Sequence, residues 1–210
     1  MNVKVTQPRD FAATANVSRE TLSRLETYVE LLLKWQPNLN LIGASTVPDL
    51  WIRHVLDSTQ VFPLLPEGQM LDAGTGAGFP GLILGIMARE DEDRGPVHLV
   101  ESDGRKCTFL AEAIAATEAK CILHNKRVEE MATFPVAAVM ARALAPLERL
   151  LPLVEKFMGP DTHAYFLKGK GANDELTEAR KHWKFTVERI QSVTDPTGVI
   201  LHLTEVRRGN

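Results

Sequence analysis

The chain has 210 residues, of which 44 % are hydrophobic and 24 % charged, and its formal net charge is −3 at pH 7. These values are typical of a globular protein of about one domain, and they exclude binding of nucleic acid through overall positive charge. Any contact with nucleic acid therefore needs a local basic face.

The sequence has no feature of an exported, membrane or metal-binding protein. Its N-terminus lacks the apolar segment of a signal peptide, and glycines interrupt the longest apolar runs before they reach the length of a membrane span. Cys107 and Cys121 do not have the spacing of a metal site. We therefore expect a cytoplasmic protein that is neither membrane-bound nor a metalloprotein.

The first 66 residues are predicted to form a helical extension. Ser18 can cap a helix whose apolar residues follow at helical spacing, and Pro37 is expected to end that helix. A loop rich in turn-forming residues follows, and a second helix is expected from about residue 47 to residue 62. A proline-rich linker then leads into a second unit, which takes residues 67–210.

Strands and helices alternate in the second unit. Such alternation predicts a doubly wound, mostly parallel sheet of an α/β protein. The last two segments, FTVERIQSV and GVILHLTEV, alternate with period two around the turn TDPTG, which indicates an antiparallel hairpin. A sheet that ends in this way resembles the Rossmann-like class I fold of S-adenosylmethionine-dependent methyltransferases. The five strands before the hairpin are expected at residues 69–73, 97–100, 119–125, 136–141 and 162–168.

The first of these strands runs into the glycine-rich loop DAGTGAG, in which Asp72 is followed by Gly74, Gly76 and Gly78. This D-x-G-x-G-x-G pattern resembles the first motif of class I methyltransferases. Glycines let the backbone approach a ligand closely, and the acid at the strand end can meet the ammonium group of a methionine moiety. Two alternatives stay open: a tight turn without a ligand, and a dinucleotide site, because GAGFPG also matches G-x-G-x-x-G. The acid disfavours the dinucleotide, since it would repel a pyrophosphate.

Four further positions suit an adenosine-containing cofactor. Glu101 ends the second strand, where an acid can accept hydrogen bonds from both ribose hydroxyls. Val128 and Glu129 follow the third strand, beside the expected place of an adenine ring. Arg142 follows the fourth strand in apolar surroundings and needs an anionic partner, which is the cofactor carboxylate, an RNA phosphate or a nearby acid such as Glu148. The acids among these residues are also explained as solvated side chains at the ends of strands.

Seven motifs together resemble the glucose-inhibited division protein B family: NLNLIG, RHVLDS, DAGTGAGFPG, LVES, RVEE, ARALAPL and LKG. They extend over about residues 30–170. The family consists of bacterial methyltransferases that act on N7 of guanine 527 in the 530 loop of 16S ribosomal RNA. The resemblance implies S-adenosylmethionine as the cofactor and 16S RNA or the small ribosomal subunit as the partner. It also implies cofactor contacts at Gly74, Phe79, Val128, Glu129 and Arg142.

The implied reaction needs no catalytic acid or base, because guanine N7 carries a free lone pair and no proton. Positioning of the two reactants in a dry site would lower the barrier. RNA contacts are expected from a basic surface, although each candidate is alone also explained as a solvated side chain. The candidates are Lys34, Arg53, His54, Lys168 and Lys170.

Two other functions stay open at this point. GAGFPG suggests an NAD-dependent oxidoreductase, and the same fold would serve a non-catalytic ribosome-assembly factor. The complete glycine motif with its two acids argues against the second, because a factor without turnover has no need of a cofactor site. We expect the protein to be a monomer.

Overall fold

A seven-stranded sheet organises the computed structural model, which describes residues 7–209. The order in the sheet is β3-β2-β1-β4-β5-β7-β6, and the first five strands in the chain are parallel. β7 runs antiparallel to both of its neighbours, so the predicted terminal hairpin is confirmed. The strands are β1 (Gly68–Ala73), β2 (Arg94–Glu101), β3 (Cys121–Asn125), β4 (Ala138–Arg142), β5 (His163–Lys168), β6 (Trp183–Gln191) and β7 (Val199–Arg208).

Helices cover both faces of the sheet, as expected of a doubly wound fold. Side chains of a strand alternate between the two faces, so Met70 and Leu71 pack on opposite sides of the sheet. The helices that begin at residues 8, 19, 81 and 104 cover the side of Met70, and those that begin at residues 147 and 172 cover the side of Leu71. No helix in the described part of the chain is long and apolar enough to cross a membrane. The helices are α1 (Pro8–Ala15), α2 (Arg19–Leu39), α3 (Asp57–Thr59), α4 (Gly81–Met87), α5 (Gly104–Thr117), α6 (Leu147–Val154) and α7 (Ala172–Ala179).

The end predicted for α2 is wrong. Ser18 caps the helix as expected, accepting a hydrogen bond from the Thr21 amide. The helix does not stop at Pro37 but continues to Leu39, and it ends where Asn40 adopts a left-handed conformation. Proline removes one helical hydrogen bond near the end of the helix, and on this exposed turn water can replace it.

The second predicted helix is also not a regular one. It consists of a 3-10 turn (Ala44–Asp49), a wide π-helical turn (Trp51–Leu56) and the single turn of α3. Residues before and after position 66 share one hydrophobic cluster, in which the Tyr28 ring packs edge-on against Phe79. The N-terminal segment therefore covers one face of the sheet and reaches the glycine loop.

Candidate active site

The strand order reverses between β1 and β4, which are neighbours in the sheet although β2 and β3 come between them in the chain. Open α/β sheets bind their ligands at the carboxyl edge of such a reversal. A cavity of about 520 Å³ lies there, lined by residues from the loops that follow β1, β2, β3 and β4. Of the nine predicted cofactor-binding residues, seven line this cavity: Gly74, Gly76, Phe79, Glu101, Val128, Glu129 and Arg142.

The glycine loop is shaped by close contacts and by positive backbone angles. Gly74 has φ +67°, and a Cβ atom there would lie 2.5 Å from Cδ1 of Leu144. Gly78 has φ +103°, and its Cβ would lie 2.8 Å from Cβ of Leu82. Side chains would be strained at both positions, so the loop needs glycine at each of them.

Asp72 lies beneath the loop and has no exposed surface on the cavity. Its Oδ2 atom accepts hydrogen bonds from the Thr75 hydroxyl (2.5 Å) and the Gly81 amide (2.9 Å). Its Oδ1 atom is buried without a hydrogen-bond partner in the described part of the chain. Burial raises the pKa of Asp72 to about 6. Asp72 thus supports the loop from below and keeps one acceptor atom free.

Glu101 holds the loop from the side. Its Oε2 atom accepts a hydrogen bond from the Gly76 amide (3.0 Å), and its Oε1 atom accepts one from the Asp103 amide (2.8 Å). The side chain is fixed in place although both oxygens retain a further lone pair for a ligand. Across the cavity, Val128 is buried and Glu129 is exposed, in a short turn that follows β3.

Arg142 lies at the centre of a polar cluster beside Phe79. Its Nη1 atom donates to Oδ2 of Asp57 (3.2 Å), its Nη2 atom donates to Nδ1 of His54 (2.8 Å), and its guanidinium carbon lies 4.8 Å from the Phe79 ring centroid. The anionic partner in this structure is therefore Asp57 and not Glu148, whose carboxylate lies nearest Arg149. Residues of the RHVLDS motif supply both side chains that fix Arg142.

His54 is a neutral member of this cluster. Nδ1 accepts from Arg142, so Nε2 carries the proton that it donates to the Thr46 hydroxyl at 2.8 Å. Burial, together with the charges of Arg142 and Arg53, lowers the pKa of His54 to about 3. His54 is therefore not a cation that would pair with an RNA phosphate, contrary to the expectation from the sequence.

A second cavity of about 780 Å³ adjoins the first. The two share Arg142, Ala143 and Leu144 as a wall, and the second is closed on its far side by the end of β5 and the turn between β6 and β7. Gln60 and Asp57 bond to that turn, at Ser192 and Thr194. The carboxyl edge thus holds two adjacent cavities that share three lining residues.

Lys168 does not have the exposed position expected of an RNA contact. Its side chain is only 7 % exposed, and Nζ donates to Oε2 of Glu175 (2.8 Å) and to the Ala145 carbonyl (2.6 Å). Oε2 of Glu175 also accepts from the Leu147 amide at 2.8 Å. This ion pair fastens the loop that follows β4, so Lys168 shapes the wall between the cavities.

The other RNA candidates are dispersed. Arg53 is exposed and lines the second cavity. Lys170 is exposed in the loop after β5 but lines neither cavity, and Lys34 lies on α2, with Nζ 3.8 Å from Oε1 of Glu112. The sequence had not singled out Lys106, Lys126 and Arg127, which line the first cavity. Their signal was their place shortly after the ends of β2 and β3.

Known proteins include relatives that match almost the whole chain. The model of the GidB family, described as rRNA small subunit methyltransferase G, matches residues 21–204. The chain is 50 % identical over 204 residues to the Ribosomal RNA small subunit methyltransferase G of Paramagnetospirillum magneticum, covering 96 % of this chain and 97 % of the relative. It is 48 % identical over 203 residues to the protein of the same name from Rhodospirillum rubrum, covering 96 % and 98 %.

Solved structures show the same fold at low sequence identity. A SAM dependent methyltransferase from Aquifex aeolicus superposes with a TM-score of 0.54 at 15 % identity, covering 75 % of this chain and 94 % of that one. A mutant of MtNAS in complex with S-adenosylmethionine superposes with a TM-score of 0.57 at 10 % identity, covering 96 % and 84 %. The fold is that of the class I S-adenosylmethionine-dependent methyltransferases, and by its family match and its relatives the chain belongs to the GidB family of ribosomal RNA small subunit methyltransferases.

Proposed function

We propose that the protein transfers the methyl group of S-adenosylmethionine to N7 of guanine 527 in 16S ribosomal RNA, acting as a monomer in the cytoplasm. The observation that carries this proposal is that two adjacent cavities share Arg142, Ala143 and Leu144 as lining residues. A transferase needs a donor site and an acceptor site that meet, and these two cavities adjoin at the carboxyl edge of the sheet.

The first cavity fits the cofactor. Its volume of about 520 Å³ is within the range of roughly 300–1,000 Å³ that is usual for small-molecule sites. Glu101 presents lone pairs suited to ribose hydroxyls, and the turn with Val128 and Glu129 suits the adenine ring. Asp72 lies beneath the glycine loop without surface on the cavity, so its carboxylate would favour an ammonium group above the loop through its charge and not by direct contact. When bound, S-adenosylmethionine supplies a methyl group activated by the sulfonium to which it is attached.

The residues of the second cavity would hold and orient the guanine. Because N7 has no proton to lose, the protein has only to bring its lone pair in line with the methyl group and to exclude water. Leu144 offers an apolar surface at the shared wall, and Asp57 balances the charge of Arg142 beside it. The cavity therefore need not present a net positive charge to a base that becomes cationic on methylation.

Family membership favours methyl transfer over an NAD-dependent oxidoreductase. The complete set of cofactor-cavity residues argues against a non-catalytic assembly factor, because such a factor would not need Glu101 and the glycine loop in this arrangement.

The test is methyl transfer from labelled S-adenosylmethionine to small ribosomal subunits taken from cells that lack this protein. After digestion, the label is expected in 7-methylguanosine alone. Subunits rebuilt with 7-deazaguanine at the target position are the control, since they lack the accepting nitrogen and should take up no label. The proposed substrate would be overturned if the label appeared in another nucleoside. It would also be overturned if the protein bound the cofactor but transferred no label.

A further inference from the structure

Four cations at the mouths of the two cavities have no carboxylate in direct contact within the described part of the chain, although the charge of Arg53 acts on Asp195 and that of Lys106 acts on Asp103. They are Arg53, Lys106, Lys126 and Arg127, and their side chains form no ion pair and donate no hydrogen bond among residues 7–209. Some cations elsewhere on the molecule are paired within the described residues, as Arg208 is with Glu155, and others such as Lys184 are not, so what distinguishes the four is their common place at the two cavities. The chain as a whole is acidic, so this arrangement is local.

The four cations lie on two sides of the shared wall. Lys106 is in the first turn of α5, after β2, and Lys126 and Arg127 directly follow β3, so these three border the first cavity. Arg53 is on the π-helical turn and borders the second cavity. A ligand that contacts all four has to be long enough to reach both cavities, which share Arg142, Ala143 and Leu144.

The cofactor does not account for these charges. S-adenosylmethionine has a single carboxylate and no phosphate, and its own sulfonium and ammonium groups are positive. Three cations that line its cavity without a direct carboxylate partner among the described residues exceed what its one carboxylate requires, and Arg53 lies at the other cavity. An anion with charges repeated along its length fits them, and the backbone of single-stranded RNA has this character.

We propose that a single strand of RNA crosses the carboxyl edge of the sheet over both cavities, with its phosphates bound on one side of the target nucleotide by Lys106, Lys126 and Arg127 and on the other side by Arg53. The target base turns from the strand into the second cavity. This inference rests on the proposed function. Of the four residues, only Arg53 was expected from the sequence to contact RNA.

The test compares RNA binding by two double variants of the full chain. Lys126→Ala/Arg127→Ala removes two charges from the rim, and Lys184→Ala/Arg207→Ala removes two from exposed residues paired in β6 and β7, at the opposite edge of the sheet. The probe is a labelled RNA fragment that spans the 530 loop, titrated at several salt concentrations. Calorimetry with S-adenosylmethionine, without RNA, checks the cofactor site separately.

The rim variant should bind the RNA about 10-fold more weakly near 0.1 M salt, and the slope of log K against log salt should become shallower by about 1.4, since each phosphate contact on a single strand contributes about 0.7. Because both residues also line the first cavity, the RNA titrations are made without S-adenosylmethionine, so that a change in cofactor affinity does not enter the comparison. Arg53→Ala should weaken RNA binding independently, by about threefold.

Two results would overturn the inference: RNA affinity unchanged in the rim variant, or an equal loss in the variant at the opposite edge. Failure of the proposed function is recognised separately, because it would show in the unmodified protein as cofactor binding without methyl transfer to ribosomal RNA. If the unmodified protein methylates its target and the rim variant retains its KM for RNA, only the binding surface is wrong.

Discussion

Asp57 and Arg142 form an ion pair, 3.2 Å between Oδ2 and Nη1, that joins the N-terminal segment to the end of β4. The other oxygen of Asp57 accepts hydrogen bonds from the Thr194 hydroxyl (2.7 Å) and from the Gln60 amide group (2.8 Å). One carboxylate thus ties together three segments of the chain, and it does so at the wall between the two cavities.

Asp57→Asn is expected to lower the free energy of unfolding by about 1–3 kcal/mol, because Arg142 loses its charged partner in a mostly buried place. It should also lower kcat for methyl transfer, since Arg142 lines both cavities. Chemical denaturation and steady-state kinetics measure the two effects. Thr194→Val removes an uncharged donor to the same carboxylate and its contact with the Ser192 hydroxyl, but it leaves the ion pair with Arg142 in place, so as the control it should cost less in both. Equal effects of the two variants would contradict a role for the charge.

Lys168→Met should destabilise the protein by about 1–3 kcal/mol, because it removes a nearly buried ion pair and leaves Glu175 without its cation. The loop after β4 loses its attachment to Lys168, so KM for RNA should rise. Lys170→Met makes the same chemical change two residues away on the exposed surface, and it should stay within about 0.5 kcal/mol of the unmodified protein. A stability loss shared by both variants would mean that the ion pair is not its source.

Glu101→Gln should weaken the binding of S-adenosylmethionine by about 10- to 100-fold, corresponding to loss of a hydrogen bond to a charged group. The amide group of glutamine would face the Gly76 or the Asp103 amide as a donor, so the loop position is disturbed as well. Calorimetry on the free protein measures this without turnover. Glu101→Asp retains the charge on a shorter side chain and should lose less. Unchanged affinity in the glutamine variant would exclude Glu101 from the cofactor site.

Stability should fall when the pH is lowered below about 6.5, because two histidines are held neutral in the fold. Burial lowers the pKa of His54 to about 3 and that of His98 to about 4, from an ordinary value of 6.5. Between the folded-state pKa values and 6.5, the unfolded chain binds more protons than the folded one. The stability that comes from keeping the two histidines neutral is therefore fully present above about pH 6.5 and is lost as the pH falls.

Denaturant titrations at pH 7.5, 6 and 5 test this for His54. The loss of stability between pH 7.5 and 5 should be smaller in His54→Gln than in the unmodified protein, because the variant has one fewer buried ring to protonate. His182→Gln, which changes an exposed histidine, is the matched control. Asp72 acts in the opposite direction, since burial raises its pKa to about 6 and its neutral form is favoured as the pH falls. Identical pH dependence of all three proteins would rule out His54 as a source.

Features that depend on local sequence were predicted correctly. Strand alternation and glycines that need a positive φ are properties of neighbouring residues, so β1, the loop with Gly74 and the terminal hairpin were found from the sequence. The partners of charged residues depend on how loops and segments are brought together. Lys168 was expected to be exposed because the sequence pattern does not show that the loop after β5 folds back and brings Glu175 to it, or that the Ala145 carbonyl lies beside it. His54 was expected to be a cation because Arg142, which keeps it neutral, lies 88 residues away.

The turn between β6 and β7 is the last wall added to the second cavity, through its contacts with Asp57 and Gln60. Ribosomes make the chain from the N-terminus, so the glycine loop and the first cavity are synthesised well before this turn. A nascent chain therefore lacks this wall until residues 192–198 have been synthesised, so the cavity that we propose for the acceptor base is completed later than the cavity proposed for the cofactor.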